Sequence, residues 1–234
     1  GSFRVDDDRV VVYSIDVSGH GVASAMMTAR LAGFLTGSSP EQNLAFQTGP
    51  NGDHVLLPPA AVVDRFNRLM LEEIQAEQYF TMALAVIDRQ SGTLDLVQAG
   101  HPHPLLVRRT GEVQKLGDGG LPVGLVSEAR FDQVRLQLAP GDRLILCSDG
   151  FTECPLPNGQ DFGEDGLIES LRASSHLSGS DLLEAMVWDL TRAAGTDSFP
   201  DDVSGIVLDL LPEVSGQHCP VPGISQPGQC VGDG

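Results

Sequence analysis

The sequence predicts an α+β domain in which two antiparallel β-sheets pack face to face and carry helices on their outer surfaces. Two observations lead to this fold class. Segments of strand length follow one another across tight turns between residues 80 and 148, which indicates antiparallel pairing. Segments with helical spacing lie before and after that block and do not alternate with its strands. Because both sheets need their faces covered, a four-layer α-β-β-α sandwich is the simplest architecture.

A strand and a helix begin the domain. The β-branched and aromatic run from Arg9 to Val17 predicts a strand that ends near Asp16, and the following Ser-Gly-His-Gly interrupts it. Apolar residues then recur at helical spacing up to Leu35, with Gly37 as the stop signal. The residues at this helical spacing are Val22, Ala25, Met26, Ala29, Ala32 and Leu35.

A long connection and a second helix follow. Residues 38–58 are rich in proline, glycine, asparagine and glutamine, which predicts a surface loop. Such a loop is a candidate lid or partner-binding segment, and a tolerated insertion is the alternative. Pro59 is suited to begin a helix whose buried stripe ends at Ile74. We expect the methionines of these helices and of the next strand to fill the core; they are Met26, Met27, Met70 and Met82.

The second half of the domain contains most of the strands. Strands are predicted at 80–87, 93–98, 104–109, 113–116, 134–138 and 143–148. Two helices, 164–173 and 181–194, precede a last strand at 205–211. We expect one domain over residues 1–211. Residues 212–234 are rich in proline and glycine, which favours a disordered tail.

The composition excludes several classes of function. The chain of 234 residues has 32 acidic and 14 basic side chains, hence a net charge of −18. No basic surface is available for nucleic acid or anionic lipid. No segment has the length and hydropathy of a membrane span or the pattern of a signal peptide, so a cytoplasmic location is expected. The spacing of the four cysteines fits neither a disulfide framework nor a zinc site.

Aspartates mark three predicted strand ends. Asp16 and Asp149 end strands, whereas Asp201 and Asp202 begin one, so an antiparallel sheet can bring all of them to one edge. Carboxylates so close together repel one another unless a hard cation such as Mg²⁺ or Mn²⁺ lies among them. Two structural interpretations stay open, because Asp149-Gly150 is also a common turn dipeptide and Pro-Asp-Asp a common entry into a strand.

The order of several segments resembles that of the bacterial SpoIIE/RsbU-type serine phosphatases, which belong to the metal-dependent PPM, or phosphatase 2C, superfamily. The resemblance runs from about Arg4 to Leu211. It rests on the blocks DVSGHGVASAMMTARL, YFTMALAVIDRQSGTLDLVQAGHPHPLLVRRTGEVQKLGDGGLPVGL, PGDRLILCSDGFTE, DFGEDGLIESL and PDDVSGIVLDL. It implies an α-β-β-α sandwich with a binuclear manganese or magnesium site.

The resemblance also implies roles for single residues. Asp16 matches the aspartate that bridges both metals, and the backbone carbonyl of Val17 matches the next ligand. Asp149 matches the aspartate of the Asp-Gly motif and Asp201 the first residue of the Asp-Asp motif, while Asp202 is a further ligand candidate. The implied reaction is hydrolysis of a phosphate monoester by metal-activated water without a phosphoenzyme.

One family ligand has no counterpart in this sequence. The family has a Gly-Gly-Asp segment shortly before the position of Phe3, and its aspartate binds only the second metal. We interpret Gly1-Ser2 as a tag remnant and expect a truncated domain whose second metal, held only by Asp16 and Val17, binds weakly and supports reduced activity.

Three histidines accompany these motifs. His20 is either a general acid or a loop histidine held by the backbone, and its spacing from Asp16 favours the second interpretation. His101 and His103 form an H-x-H pair, but the prolines beside them favour a turn, so they are left out of the site.

The leading functional hypothesis is a protein-serine/threonine phosphatase. The resemblance suggests a phosphorylated anti-sigma-factor antagonist as substrate and an upstream sensory or receiver domain, with a homodimer left open. The alternative is a phosphatase-fold adaptor that has lost catalysis and binds a sigma factor or its regulators.

Overall fold

The computed structural model describes residues 1–35, 41–74 and 78–211 and confirms the four-layer sandwich. Sheet 1 has the strand order β1-β2-β5-β6-β9 and sheet 2 the order β11-β10-β7-β8, and every pairing within them is antiparallel. The strands of sheet 1 are β1 Ser2–Arg4, β2 Arg9–Val17, β5 Phe80–Asp88, β6 Thr93–Ala99 and β9 Gln133–Gln137. Those of sheet 2 are β7 Leu105–Val107, β8 Val113–Lys115, β10 Arg143–Cys147 and β11 Gly205–Asp209.

Five helices flank the sheets in the described part of the chain. They are α1 Val22–Gly33, α2 Pro59–Arg68, α3 Asp149–Thr152, α4 Gly163–Ala173 and α5 Gly179–Ala194. The helix predicted up to Ile74 is α-helical only as far as Arg68, since Leu69–Ile74 forms a π-helical continuation. None of the helices in the described ranges is long and apolar enough to cross a membrane.

Three apolar cores separate the four layers. One lies between α2 and sheet 1, where Phe66 meets Phe80 edge to face with ring centroids 5.8 Å apart. The second fills the space between the sheets and includes Val12, Ala85 and Leu146. The third joins sheet 2 to α4 and α5. Burial of these three surfaces supplies the main favourable free energy of folding.

Helix α1 corrects one prediction. Its bounds match the helical spacing, but Val22 is 77% exposed and Met26 69% exposed, whereas Ser24 and Leu31 are buried. The expectation that Met26 fills the core is therefore wrong, while Met70 and Met82 are buried as predicted. The small alanines made this helix apolar on more than one side, so spacing did not identify the buried face. Gly37, the predicted stop signal, lies outside the described residues.

The connection between the first two helices is also more ordered than predicted. Residues 36–40 lie outside the described part, but the rest contains a hairpin of β3 Phe46–Thr48 and β4 His54–Leu56. Gly52 takes a positive φ of 82° in its turn. Arg65 of α2 donates a hydrogen bond of 2.6 Å to the carbonyl of Phe46, which fixes the hairpin against the domain. The predicted tail, residues 212–234, lies outside the described residues.

Candidate functional site

Strand β2 places Asp16 at the rim of the space between the two sheets. Side chains alternate along a strand, and Val10 and Val12, on the same face of β2 as Asp16, belong to the core between the sheets. That face becomes polar towards the end of the strand, through Ser14 to Asp16. The Asp16 side chain is half-buried, so it lies where the interior of the sandwich meets solvent.

Strands β10 and β11 of sheet 2 bring the other aspartates to the same edge of the sandwich. Cys147, the last residue of β10, pairs with Gly205, the first residue of β11. Asp149 therefore follows one strand where Asp201 and Asp202 precede its neighbour. Antiparallel pairing of β10 and β11 thus brings Asp149 beside Asp201 and Asp202, as the sequence predicted, whereas Asp16 meets them from the other sheet through the packing of sheet 1 on sheet 2.

Ser148 and Gly150 fix these two loops to each other. The Ser148 hydroxyl donates a hydrogen bond of 2.8 Å to the carbonyl of Asp202 and accepts one of 2.9 Å from the amide of Ser204. A Cβ atom added at Gly150 would lie 2.4 Å from the carbonyl oxygen of Asp202, so only glycine permits this approach. The contact brings the loop of Asp149 against the loop of Asp201. Sequence reasoning assigned no role to Ser148 and treated Gly150 only as a turn residue.

The charges of the four aspartates act on one another. Burial, followed by the negative charges of Asp149 and Asp201, raises the pKa of Asp16 to about 6. Asp149 adds to this as a hydrogen-bond partner of the protonated carboxyl, and the charge of Asp202 acts in the same direction. Crowding of like charges at a half-buried position is the electrostatic environment that favours a bound cation.

A cavity of about 370 Å³ opens beside these carboxylates. Asp16, Val17, Asp201 and Asp202 line it, whereas Asp149 lies next to Asp16 and does not line it. The remaining lining residues come from the start of α1 and from the chain before Asp201: Gly19, His20, Gly21, Ser24, Ala25, Thr28, Phe199 and Pro200. The cavity is therefore formed jointly by both halves of the sandwich.

The chemistry of this donor set fits a hard divalent cation. The side-chain candidates offer only carboxylate oxygens, which Mg²⁺ and Mn²⁺ prefer, and their mutual repulsion is relieved by positive charge. Within residues 1–35, 41–74 and 78–211, however, no three acidic, histidine or cysteine side chains form a complete ligand cluster. The aspartates are thus gathered at one edge but do not form a closed cage, and their role as ligands stays a prediction.

The three histidines take different positions. His20 is exposed and lines the cavity between Gly19 and Gly21, whose φ angles of 87° and 89° let the chain turn sharply from β2 into α1. His103 does not line the cavity, and its Nδ1 lies 2.8 Å from a carboxylate oxygen of Glu164. His101 is 2% exposed, and its Nδ1 lies 3.0 Å from the hydroxyl oxygen of Thr81. Sequence reasoning left His101 out of the site because proline-flanked histidines usually shape turns.

Comparisons with known proteins agree with this architecture. A sequence model of the Stage II sporulation protein E (SpoIIE) family matches residues 6–211. Protein IcfG of Synechocystis sp. is 26% identical over 188 residues, which cover 74% of this chain and 29% of IcfG. Phosphoserine phosphatase RsbP of Bacillus subtilis is 27% identical over 154 residues, or 64% of this chain and 35% of RsbP. The chain thus spans about a third of the length of these relatives.

Solved structures share the fold. The SiaA-PP2C domain of Pseudomonas aeruginosa superposes with a TM-score of 0.70 at 22% identity and covers 89% of this chain and 80% of that domain. RsbX, whose structure was solved in complex with magnesium, has a TM-score of 0.57 at 16% identity and covers 88% of this chain and 84% of RsbX. At these identities the likeness establishes the fold alone.

Proposed function

The chain belongs to the SpoIIE family of the PPM, or phosphatase 2C, superfamily, and from this we propose that it is a metal-dependent protein-serine/threonine phosphatase. The observation that carries the proposal is the convergence of Asp16, Asp149, Asp201 and Asp202 at one edge of the sandwich, beside a cavity. A protein without such chemistry has no use for four carboxylates that repel one another at this edge.

The proposed ligands of the cation are the carboxylates of Asp16, Asp149 and Asp201 together with the main-chain carbonyl of Val17. Mg²⁺ or Mn²⁺ held there supplies a Lewis acid that acidifies water and neutralises phosphoryl charge. The carboxylates alone would repel a phosphate monoester, so cation and substrate binding depend on each other. The cavity of about 370 Å³ has room for a phosphorylated side chain at the surface of a protein substrate.

The position of each aspartate indicates a separate contribution. Asp16 comes from sheet 1, while Asp149 and Asp201 come from loops of sheet 2 that Ser148 joins. The site is therefore assembled only when both sheets are packed in register. Such preorganisation favours the transition state because no further reorganisation is needed when charge develops at the phosphoryl group.

The substrate class proposed is a phosphorylated anti-sigma-factor antagonist, and the domain would act as the output module of a longer signalling protein in the cytoplasm. Support comes from the family resemblance and from the share of about a third that this chain spans in IcfG and RsbP. The net charge of −18 makes nucleic acid an unsuitable partner.

The experiment that tests the proposal compares the wild type with Asp149→Asn. With an aryl phosphate and a phosphoserine peptide as substrates, we expect hydrolysis by the wild type that requires Mn²⁺ or Mg²⁺ and stops on chelation. Asp149→Asn should lower kcat/KM by about 100-fold or more. Asp7→Asn is the matched control, because Asp7 is exposed in the turn before β2, at the other end of that strand from Asp16.

Two outcomes would favour the adaptor hypothesis. One is a folded wild-type protein with no metal-dependent hydrolysis of either substrate. The other is activity that survives unchanged in Asp149→Asn. The adaptor hypothesis is consistent with the incomplete ligand cluster in the described residues.

A further inference from the structure

His101 lies on the segment that carries the chain from one sheet to the other. This segment joins the end of β6 in sheet 1 to the start of β7 in sheet 2. The side chain is only 2% exposed and does not line the cavity beside the aspartates. At this burial the side chain acts on its surroundings through the residues that it touches.

The imidazole contacts both sheets. Its Nδ1 lies 3.0 Å from the hydroxyl oxygen of Thr81 in β5. Its Nε2 is buried and has no hydrogen-bond partner in the described structure. The main chain of Cys147 in β10 is near enough to the ring to raise the pKa of His101 slightly against the larger effect of burial. The main chain is fixed as well, because Gln98 donates a hydrogen bond of 2.6 Å to the His101 carbonyl.

The contacts with Thr81 and Cys147 each lead to a proposed ligand. Thr81 is paired directly with Asp16 in the β2–β5 register, so the two side chains share a face and their Cβ atoms are about 5 Å apart. Cys147 is the last residue of β10 and lies two positions before Asp149. The imidazole of His101 therefore lies between β5, whose Thr81 is the direct neighbour of Asp16, and β10, the strand that leads to Asp149.

The protonation state of His101 suits this position. Burial lowers its pKa to about 4, so near pH 7 the ring is neutral and offers one donor and one acceptor. In the tautomer that carries its proton on Nε2, Nδ1 has a free lone pair and can accept a hydrogen bond from the Thr81 hydroxyl. A neutral ring adds no positive charge that would compete with a cation for the carboxylates.

We propose that His101 is a positioning residue that sets the separation between Asp16 and Asp149 by linking Thr81 in sheet 1 to the end of β10 in sheet 2. The inference rests on the proposed function, since its consequence is the affinity of these carboxylates for a divalent cation. Partners that orient metal ligands commonly change metal affinity by about 10- to 100-fold.

The test measures Mn²⁺ binding by isothermal titration calorimetry, separately from hydrolysis. Thr81→Val removes the hydroxyl at nearly constant volume, and His101→Leu removes both ring nitrogens. We expect each variant to raise the Kd for Mn²⁺ by about 10-fold or more. Hydrolysis measured against Mn²⁺ concentration should shift to higher Mn²⁺ by a similar factor, so that added Mn²⁺ recovers part of the lost activity.

Two further variants separate positioning from general packing. His101→Asn retains a polar atom near the position of Nδ1 and should restore part of the affinity that His101→Leu loses. The double variant with Thr81→Val should lose little more than His101→Leu alone, because both remove the same link. His103→Asn, two residues along the same segment, should bind Mn²⁺ like the wild type.

The outcomes distinguish this inference from the proposed function. If the wild type binds Mn²⁺ and hydrolyses substrate while folded Thr81→Val and His101→Leu bind Mn²⁺ with unchanged Kd, the positioning role is wrong and the phosphatase stands. If the wild type neither binds Mn²⁺ nor hydrolyses substrate, both are overturned. Should His101→Leu fail to fold, Thr81→Val decides the question by itself.

Discussion

Asp16 and His101 occupy neighbouring positions at the same edge of the sandwich, yet burial moves their pKa values in opposite directions. Removal from water disfavours the charged form of each group. Burial, reinforced by Asp149 and Asp201, raises the pKa of Asp16 to about 6, and burial lowers the pKa of His101 to about 4. Near neutral pH the carboxylates are therefore not neutralised by the adjacent histidine, and their charge is available to a cation.

The low pKa of His101 predicts a specific loss of stability in mild acid. The folded state binds a proton at His101 only near pH 4, whereas the unfolded chain binds it near pH 6.5, so acid favours unfolding. This contribution is complete above about pH 6.5 and is lost as the pH falls towards 4. Between pH 7 and pH 5 it amounts to about 2 kcal/mol.

Urea unfolding at pH 7 and pH 5 measures this effect. The wild type should lose about 2 kcal/mol more unfolding free energy over this interval than His101→Asn does, because the variant has no imidazole to titrate. His54→Asn, at an exposed position of β4, should behave like the wild type. Equal pH dependence in the wild type and His101→Asn would contradict the assignment of a buried neutral imidazole.

Helix α3 is only four residues long, and it holds Asp149 against the loop that precedes β11. Backbone contact between the two makes this possible, since a Cβ atom at Gly150 would lie 2.4 Å from the Asp202 carbonyl oxygen. Gly150 has no positive φ, so alanine would fit its backbone conformation and only the collision would matter.

Gly150→Ala therefore tests the packing of these two elements. We expect the loop of Asp201 to move away from Asp149, with a fall in kcat/KM of about 10- to 100-fold and a loss of about 1–3 kcal/mol in unfolding free energy. Gly33→Ala in α1 is the control, because a Cβ there meets no atom within 4 Å. That variant should keep wild-type activity and should be as stable as the wild type or slightly more stable. Unchanged activity in Gly150→Ala would show that this close approach does not position the site.

The elements differ in how much of them the sequence could predict. Strand β2 was predictable because the nine-residue run from Arg9 to Val17 is rich in β-branched and aromatic residues, and Asp16 is its next-to-last residue. The three-residue strands β1, β3 and β4 were not, since runs so short carry no period. The buried face of α1 was also not predictable, because its apolar positions spread around the helix. No local signal could indicate that His101 is buried, as its surroundings come from Thr81 and Cys147 on different strands.

Repulsion between negative charges affects the entire protein and is strongest at the proposed metal site. A net charge of −18 opposes compaction through self-repulsion. At the edge of the sandwich this repulsion is strongest where the half-buried carboxyl groups of Asp16 and Asp149 meet the exposed carboxylate of Asp201. Salt screens the general repulsion between surface charges, whereas a divalent cation bound among the aspartates also relieves the local repulsion. The two effects can therefore be separated by experiment.

Thermal unfolding in NaCl and in MnCl₂ at equal ionic strength makes this separation. A cation that binds only the folded state stabilises it by RT ln(1 + [L]/Kd), about 2.7 kcal/mol at 100 times Kd, so MnCl₂ should raise the Tm well above the value in NaCl. Asp149→Asn should keep the increase due to NaCl and lose most of the additional increase due to MnCl₂. Chelation should return the wild type to its Tm in NaCl. An identical response of the wild type and Asp149→Asn to MnCl₂ would mean that Mn²⁺ acts on the surface charge in general, because removal of one proposed ligand would then have left the binding free energy unchanged.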